Sequence, residues 1–201
     1  MEIKKNSKEH FDSTANYYDN SFDGKFVKPM YKCVLGEISK ITTGNLLDVG
    51  CGNGNILSSL VDSDLKLYGI DLSTEMIKQA ERHLADRAKL CVTDAEKLPF
   101  DSDFFDVLVC NASFHHYPHP KTVLKEMRRV MKKDALLFIG EGYAIQPLRF
   151  LFNLSFHFSK SGDFHRYGKK ELSLLLRQNG FVLCEIKKAG SQSVLFIAKA
   201  Q

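Results

Sequence analysis

Three glycines in five residues, Gly50-Cys51-Gly52-Asn53-Gly54, are the first feature that could do chemistry. Glycine loses more backbone entropy on folding than any other residue, so a plain connection rarely carries three. A turn without Cβ atoms lets a ligand lie against the backbone, with N–H groups and a helix N-terminus facing it. The turn is therefore read as a seat for a nucleotide-like cofactor. Two carboxylates belong with it. Asp71 ends the run 66–71, where an acidic side chain reaches ribose hydroxyls. Asp94 follows the run 88–93 and borders the same crevice, where it could accept a hydrogen bond from an adenine amino group. Against the dinucleotide fingerprint G-x-G-x-x-G, Gly50 and Gly52 fit, but Asn55 stands third and Gly54 comes one residue early. That spacing argues against NAD and leaves it as the alternative. His115-His116-x-x-His119 hints at a metal sequence. Two adjacent histidines are not expected to converge on one ion, so no metal is expected. At Cys51 the backbone, not the thiol, is the useful part, since no base is implied near it.

The elements that must position these residues follow from periodicity. Phe11, Ala15, Tyr18 and Phe22 share one face of a helix over 8–22, with Asp12, Tyr17 and Asp19 off that face. A second helix is expected over 26–41, with Pro29 near its first turn. Leu46–Val49 reads as a buried strand, and the helix after the glycine turn runs to about Val61. Strands follow at 66–71, 88–93, 105–110 and 135–140. Between them lie helices: one capped by Ser73 and carrying Met76, Ile77, Ala80 and Leu84, another carrying Val123, Leu124, Met127, Val130 and Met131. The alternation predicts an α/β fold with a doubly wound, mostly parallel sheet. After Gly140 the pattern lapses. Residues 145–158 carry two apolar stripes, Ile145-Leu148-Leu151-Phe152-Phe156 and Phe150-Leu154-Phe158, so this helix is buried twice or covers something. A helix over 170–179 stops at Gly180, and runs 181–186 and 193–198 make an antiparallel hairpin.

Composition bounds the class. The 201 residues are 44% hydrophobic and suit one globular domain. From Lys160 onward there are eight Lys/Arg against three Asp/Glu, while the preceding residues carry 20 against 21. With few aromatics interleaved, that basic excess reads as a solvated face rather than a nucleic-acid surface. Five scattered cysteines without a CxxC, a charged N-terminus and no long apolar run predict a cytoplasmic chain with free thiols and no membrane span.

Taken together, LLDVGCGNG (46–54), GIDLSTEMI (69–77), TDAEKLPF (93–100), FDVLVCNASFHH (105–116) and LKEMRRVMKKDALLFI (124–139) resemble the class I S-adenosylmethionine-dependent methyltransferases. The likeness is to the small-molecule branch that includes the ubiquinone/menaquinone-biosynthesis enzymes. FDSTANYYD (11–19) is similar to that family's N-terminal pattern. The resemblance implies a Rossmann-like seven-stranded sheet. It divides the single domain into a helical cap (1–41), a cofactor core (42–140), a lid (141–168) and a C-terminal helix with hairpin (169–201). It implies S-adenosylmethionine as cofactor and S-adenosylhomocysteine as product. The backbone at Gly50, Cys51 and Gly52 would face the methionine part, and Asp48 would order the turn. Asp71 would take both ribose hydroxyls with Leu72 against the adenine. Asp94 and the Ala95 N–H would meet the adenine edge. Asn111, with Ser113 or His116, would border the sulfur, and Tyr18 would close over the cofactor.

The expected activity is in-line methyl transfer to a small, apolar or aromatic acceptor. A general base is needed only if the acceptor must lose a proton, and His116, His165 and Tyr18 are the candidates. Nucleic acid is disfavoured as acceptor: Asn111-Ala112-Ser113-Phe114 lacks the double proline of the amino-methylating DNA enzymes, and no Pro-Cys dipeptide exists. A homodimer through 145–158, and a non-catalytic cofactor-binding protein, are the rivals to an acceptor lid.

Overall fold

The computed structural model describes residues 2–156, 159 and 161–201. Five strands run parallel: β1 (Thr43–Val49), β2 (Asp64–Asp71), β3 (Ala88–Val92), β4 (Phe105–Asn111) and β5 (Met131–Gly142). Two more, β6 (Phe181–Lys188) and β7 (Ser193–Ala200), pair antiparallel, and β7 also runs antiparallel to β5. The seven strands lie in the order β3-β2-β1-β4-β5-β7-β6. This is the doubly wound, mostly parallel sheet with an antiparallel hairpin that the alternation predicts. The hairpin's second strand, not its first, lies against β5.

Helices cover both faces. They are α1 (Glu2–Thr14), α2 (Phe22–Ile38), α3 (Asn55–Ser58), α4 (Thr74–Leu84), α5 (Pro120–Val130), α6 (Leu148–Phe156) and α7 (Lys169–Gln178). Neighbouring strand residues point to opposite faces. Leu46, Val107 and Phe138 thus meet Met30, Val34 and Ile38 of α2 and Ala80 of α4. Leu47, Leu108 and Leu137 meet Val123, Leu124 and Met127 of α5 and Leu172 and Leu176 of α7 on the other face. Each such side chain contributes about 1.5–3 kcal/mol when fully buried. Ser73 caps α4 as expected, accepting the Met76 N–H at 3.0 Å. Among the described residues, no helix is long and apolar enough to cross a membrane.

Five boundaries differ from expectation. The helix over 8–22 is broken: α1 ends at Thr14, and a 3-10 segment, Ala15–Asn20, bends at Tyr17. Phe22 therefore leaves the packed face and is exposed. The next helix starts at Phe22 because Ser21 Oγ accepts the Gly24 N–H at 3.1 Å, which places Pro29 in its interior. Third, α3 is a single turn, and the Ser59 and Leu60 N–H groups close it with tight bonds to Ile56 and Leu57. Met131, assigned to the helix by periodicity, begins β5 instead. In the segment 145–158, the helix spans only Leu148–Phe156, and none of its residues is fully buried. Phe158 lies outside the described residues.

Candidate active site

Strand order reverses at β1, which lies between β2 and β4, and the crevice beyond the carboxyl ends of such strands is where ligands bind. The glycine turn sits there. Gly50, Gly52 and Gly54 have φ of +77°, +53° and +82°. That left-handed region strains any residue with a Cβ. The N–H groups of Gly50, Cys51 and Gly52 turn to protein acceptors rather than to the cavity, contrary to expectation. Those of Gly50 and Cys51 both donate to the Ile70 carbonyl at 2.9 Å, and that of Gly52 donates to Asp71 Oδ2 at 2.9 Å. What the turn offers a ligand is a Cβ-free wall: a Cβ at Gly52 would have no neighbour within 4 Å.

A cavity of about 890 Å³, its mouth included, opens over this wall. It is lined by every residue expected to hold a cofactor: Tyr18, Asp48, Gly50, Cys51, Gly52, Asp71, Leu72, Asp94, Ala95 and Asn111. Ser113 and His116 line it too. Asp48 is 2% exposed, and its Oδ1 has no partner among the described residues. Burial, then the neighbouring Asp71, pushes its carboxyl up to about 8. Asp71 also accepts the Ser73 N–H at 2.8 Å, so both its oxygens already brace backbone; burial still raises its pKa. Asp94 accepts the Glu96 N–H at 2.9 Å and Lys4 Nζ at 2.6 Å. The Asn111 side chain is buried, and its amide group finds no partner among the described residues.

The first 20 residues close this cavity, and sequence reasoning missed much of how. Lys4, Ser7 and Phe11 line it from one face of α1, a helical spacing that was legible but unread. Asp12 Oδ1 accepts the Ser73 hydroxyl at 2.6 Å and the Glu75 N–H at 3.2 Å, docking α1 on α4. Asp19 Oδ1 accepts Asn53 Nδ2 at 3.0 Å and Asn55 Nδ2 at 2.8 Å, tying the 3-10 segment to the glycine turn. The residues expected off the packed face are therefore the clamps.

A second cavity of about 1040 Å³ adjoins the first. The two share Phe11, Tyr18, Ala112 and His116 as a common wall. The second has aromatic sides, Phe22 and Phe26 opposite Phe152 and Phe156, and a charged floor of His115, Glu141, Asp163 and Arg166. The Arg166 guanidinium stacks 4.6 Å from the Phe152 ring centroid. His115 Nδ1 lies 2.8 Å from Glu141 Oε2, and its Nε2 lies 3.3 Å from Asp163 Oδ1. Burial disfavours the charged ring, but the two carboxylates outweigh it and raise His115 to about 10. His116 Nδ1 lies 3.1 Å from the Gly162 carbonyl; burial, then the charge on His115, lowers this ring to about 4. The two rings lie 4.1 Å apart, so the adjacent histidines do converge, because a 3-10 turn, Phe114–His116, carries them. Of the candidate bases, Tyr18 and His116 stand at the joint. Tyr18 is held protonated, its pKa raised well beyond the usual phenol range by burial. His165 lies outside both cavities, 2.7 Å from Glu171 Oε1. His119 likewise pairs elsewhere, with Glu96 at 2.9 Å.

Comparison with known proteins bears on what this arrangement is. A family model described as a methyltransferase domain matches residues 47–139. A demethylmenaquinone methyltransferase of Geobacillus stearothermophilus is 30% identical over 170 residues, 70% of this chain and 72% of the relative. A sterol 4-C-methyltransferase of Caenorhabditis elegans is 28% identical over 133 residues, 62% of this chain. The match spans only 40% of that relative's length. A SAM-dependent methyltransferase from Aquifex aeolicus superposes with a TM-score of 0.73 over 94% of this chain and 98% of its own, at 22% identity, a likeness of fold. With the strand order, the glycine turn and a relative matched over most of its length, the chain belongs to the S-adenosylmethionine-dependent methyltransferases.

Proposed function

We propose that this chain transfers a methyl group from S-adenosylmethionine to a small acceptor with a planar aromatic or apolar body, held in the second cavity. The observation that carries the reading is the common wall: a cavity edged by strand-end carboxylates opens onto an aromatic one through Phe11, Tyr18, Ala112 and His116. The residues of the first cavity fit the cofactor. The unpartnered, buried Asp48 oxygen and the open space over Gly52 suit its amino-acid end. Asp71 keeps lone pairs for ribose hydroxyls, and Leu72, Asp94 and Ala95 suit the adenine. When bound, the cofactor supplies a methyl group on a sulfonium, with a neutral leaving group.

The chain's own residues then have to align and dry the joint rather than supply force. Phe11 stands edge-on to His116, with ring centroids 5.2 Å apart, and narrows the passage. Helix α6 and the loop at 161–166 act as the lid, with Phe152 and Phe156 lining the second cavity and Arg166 stacked on them. If the acceptor must lose a proton, His116 is the candidate that has both a lone pair and a place at the joint. Calorimetry tests the reading. S-adenosylhomocysteine should bind and NAD should not. A panel of small phenols and aromatic amines should then show turnover that Phe152→Ala impairs. Absence of S-adenosylhomocysteine binding, or an acceptor preference untouched by Phe152→Ala, overturns it.

A further inference from the structure

The floor of the second cavity holds ligating groups that methyl transfer to an apolar acceptor does not require. His115, His116 and Asp163 each offer one ligand atom, and the three atoms lie within 4.8 Å of one another. His115 Nε2 to Asp163 Oδ1 is 3.3 Å, and His116 Nδ1 to the same oxygen is 3.9 Å. Ligands about 2.0–2.2 Å from a tetrahedral ion stand roughly 3.3–3.6 Å from one another. Two of the three spacings are thus close to what an ion would impose, and the third lies within 4.8 Å. Its support is also in place. Glu141, 3% exposed, accepts from His115 Nδ1 at 2.8 Å, which turns Nε2 to the cluster. Such a carboxylate behind a histidine is the usual outer partner of a metal ligand. Ser161 donates to Asp163 Oδ2, which orients the Oδ1 atom. The Gly162 carbonyl, 3.1 Å from His116 Nδ1, stands beside the ligand set.

We propose that His115, His116 and Asp163 form a site for one divalent transition-metal ion on the floor of the acceptor cavity. Two imidazoles and one carboxylate suit zinc, cobalt or iron rather than magnesium or calcium, which favour oxygen. Three protein ligands leave a coordination position open, as in sites that bind substrate rather than only brace a fold. All three residues line a cavity whose walls include Phe11, Tyr18 and Phe152. Granted the methyltransferase reading, on which this part rests, the ion's partner is an acceptor bearing a hydroxyl or similar donor atom. The ion also changes the part played by His116: Nδ1 turns to the metal, and the ring proton moves to Nε2. Without an ion, the same cluster is an imidazolium held between two carboxylates.

Cobalt(II) added to the chelator-treated full chain is the test, followed by visible absorption. One equivalent per chain should bind with the intensity of a low-symmetry, four- or five-coordinate ion, and zinc should displace it. Asp163→Asn and His115→Gln should each weaken binding by at least about tenfold, and Glu141→Gln by about tenfold or more. His165→Gln should change nothing. S-adenosylhomocysteine calorimetry on each variant reports whether the fold survives. No cobalt spectrum from a chain that binds S-adenosylhomocysteine overturns the site, as does cobalt binding indifferent to Asp163→Asn. Cobalt bound at these residues by a chain that binds no S-adenosylhomocysteine would uphold the metal site and defeat the methyltransferase reading.

Discussion

At the scale of single residues, Asp48 carries the sharpest electrostatic consequence. Its carboxyl ionises near 3.8 when free and at about 8 when buried beside Asp71. Between those values the folded chain holds a proton that the unfolded chain has lost. Stability conferred by this group is therefore highest at low pH and falls as pH rises from about 4 to about 8, then levels off. Thermal melts across that range should show the fall, and Asp48→Asn should flatten it. The glycines divide by what surrounds them. At Gly52, left-handed backbone strain of about 1–2 kcal/mol is the whole structural cost of an alanine. Its Cβ would meet nothing within 4 Å and would stand in the open space of the first cavity. Gly52→Ala should therefore stay folded and lose about tenfold or more in S-adenosylhomocysteine affinity by calorimetry. At Gly50 a Cβ would fall 2.0 Å from Ser113 Oγ, so Gly50→Ala should melt several degrees lower as well.

At the scale of elements, α6 and the N-terminal segment both line the second cavity. Of the two apolar stripes of α6, only one faces the second cavity. Phe152 and Phe156 line the cavity, whereas Phe150 and Leu154 are 60% and 50% exposed. Phe152→Ala should raise the acceptor KM by about tenfold, in keeping with loss of an aromatic contact and its buried area, while S-adenosylhomocysteine affinity stays put. Phe150→Ser should leave both unchanged, and steady-state kinetics separates the two. The N-terminal segment is held by charged hydrogen bonds rather than by its apolar stripe alone. Asp19→Ala removes the acceptor of Asn53 and Asn55, an arrangement worth about 1.5–3 kcal/mol per charged bond at most. Its expected signature is faster dissociation of S-adenosylhomocysteine in stopped flow, together with a melting temperature lowered by several degrees.

At the scale of the whole molecule, stability and mobility should divide along the sheet. β1 and β4 are central and covered on both faces, whereas no residue of α6 is fully buried. Amide exchange should be slowest in those strands and fast in α6, and S-adenosylhomocysteine with a bound acceptor should slow it in α6. The same division separates what could be read in the chain from what could not. Local pattern was enough for the strands, for Ser73 as a cap, and for the placing of Asp48, Asp71 and Asp94 at one edge. Parallel strands joined by right-handed crossovers put their carboxyl ends together whatever the details. The same rule brought nine of the ten expected cofactor residues onto one cavity, and Tyr18 reaches it from the N-terminal segment. Periodicity names a face but not its partner, which is why both sides of α6 read alike. It also says nothing of contacts closed across the chain. Lys4 reaches Asp94 from 90 residues away, β7 inserts between β5 and β6, and His115 meets Glu141 and Asp163 through three separate segments. The sequence by itself determined the first cavity, because that cavity is built largely from short-range turns on a regular sheet. Only the tertiary structure decided the second cavity, because its walls are assembled from the N-terminal segment, the end of β5 and the loop at 161–166, which no local signal ties together.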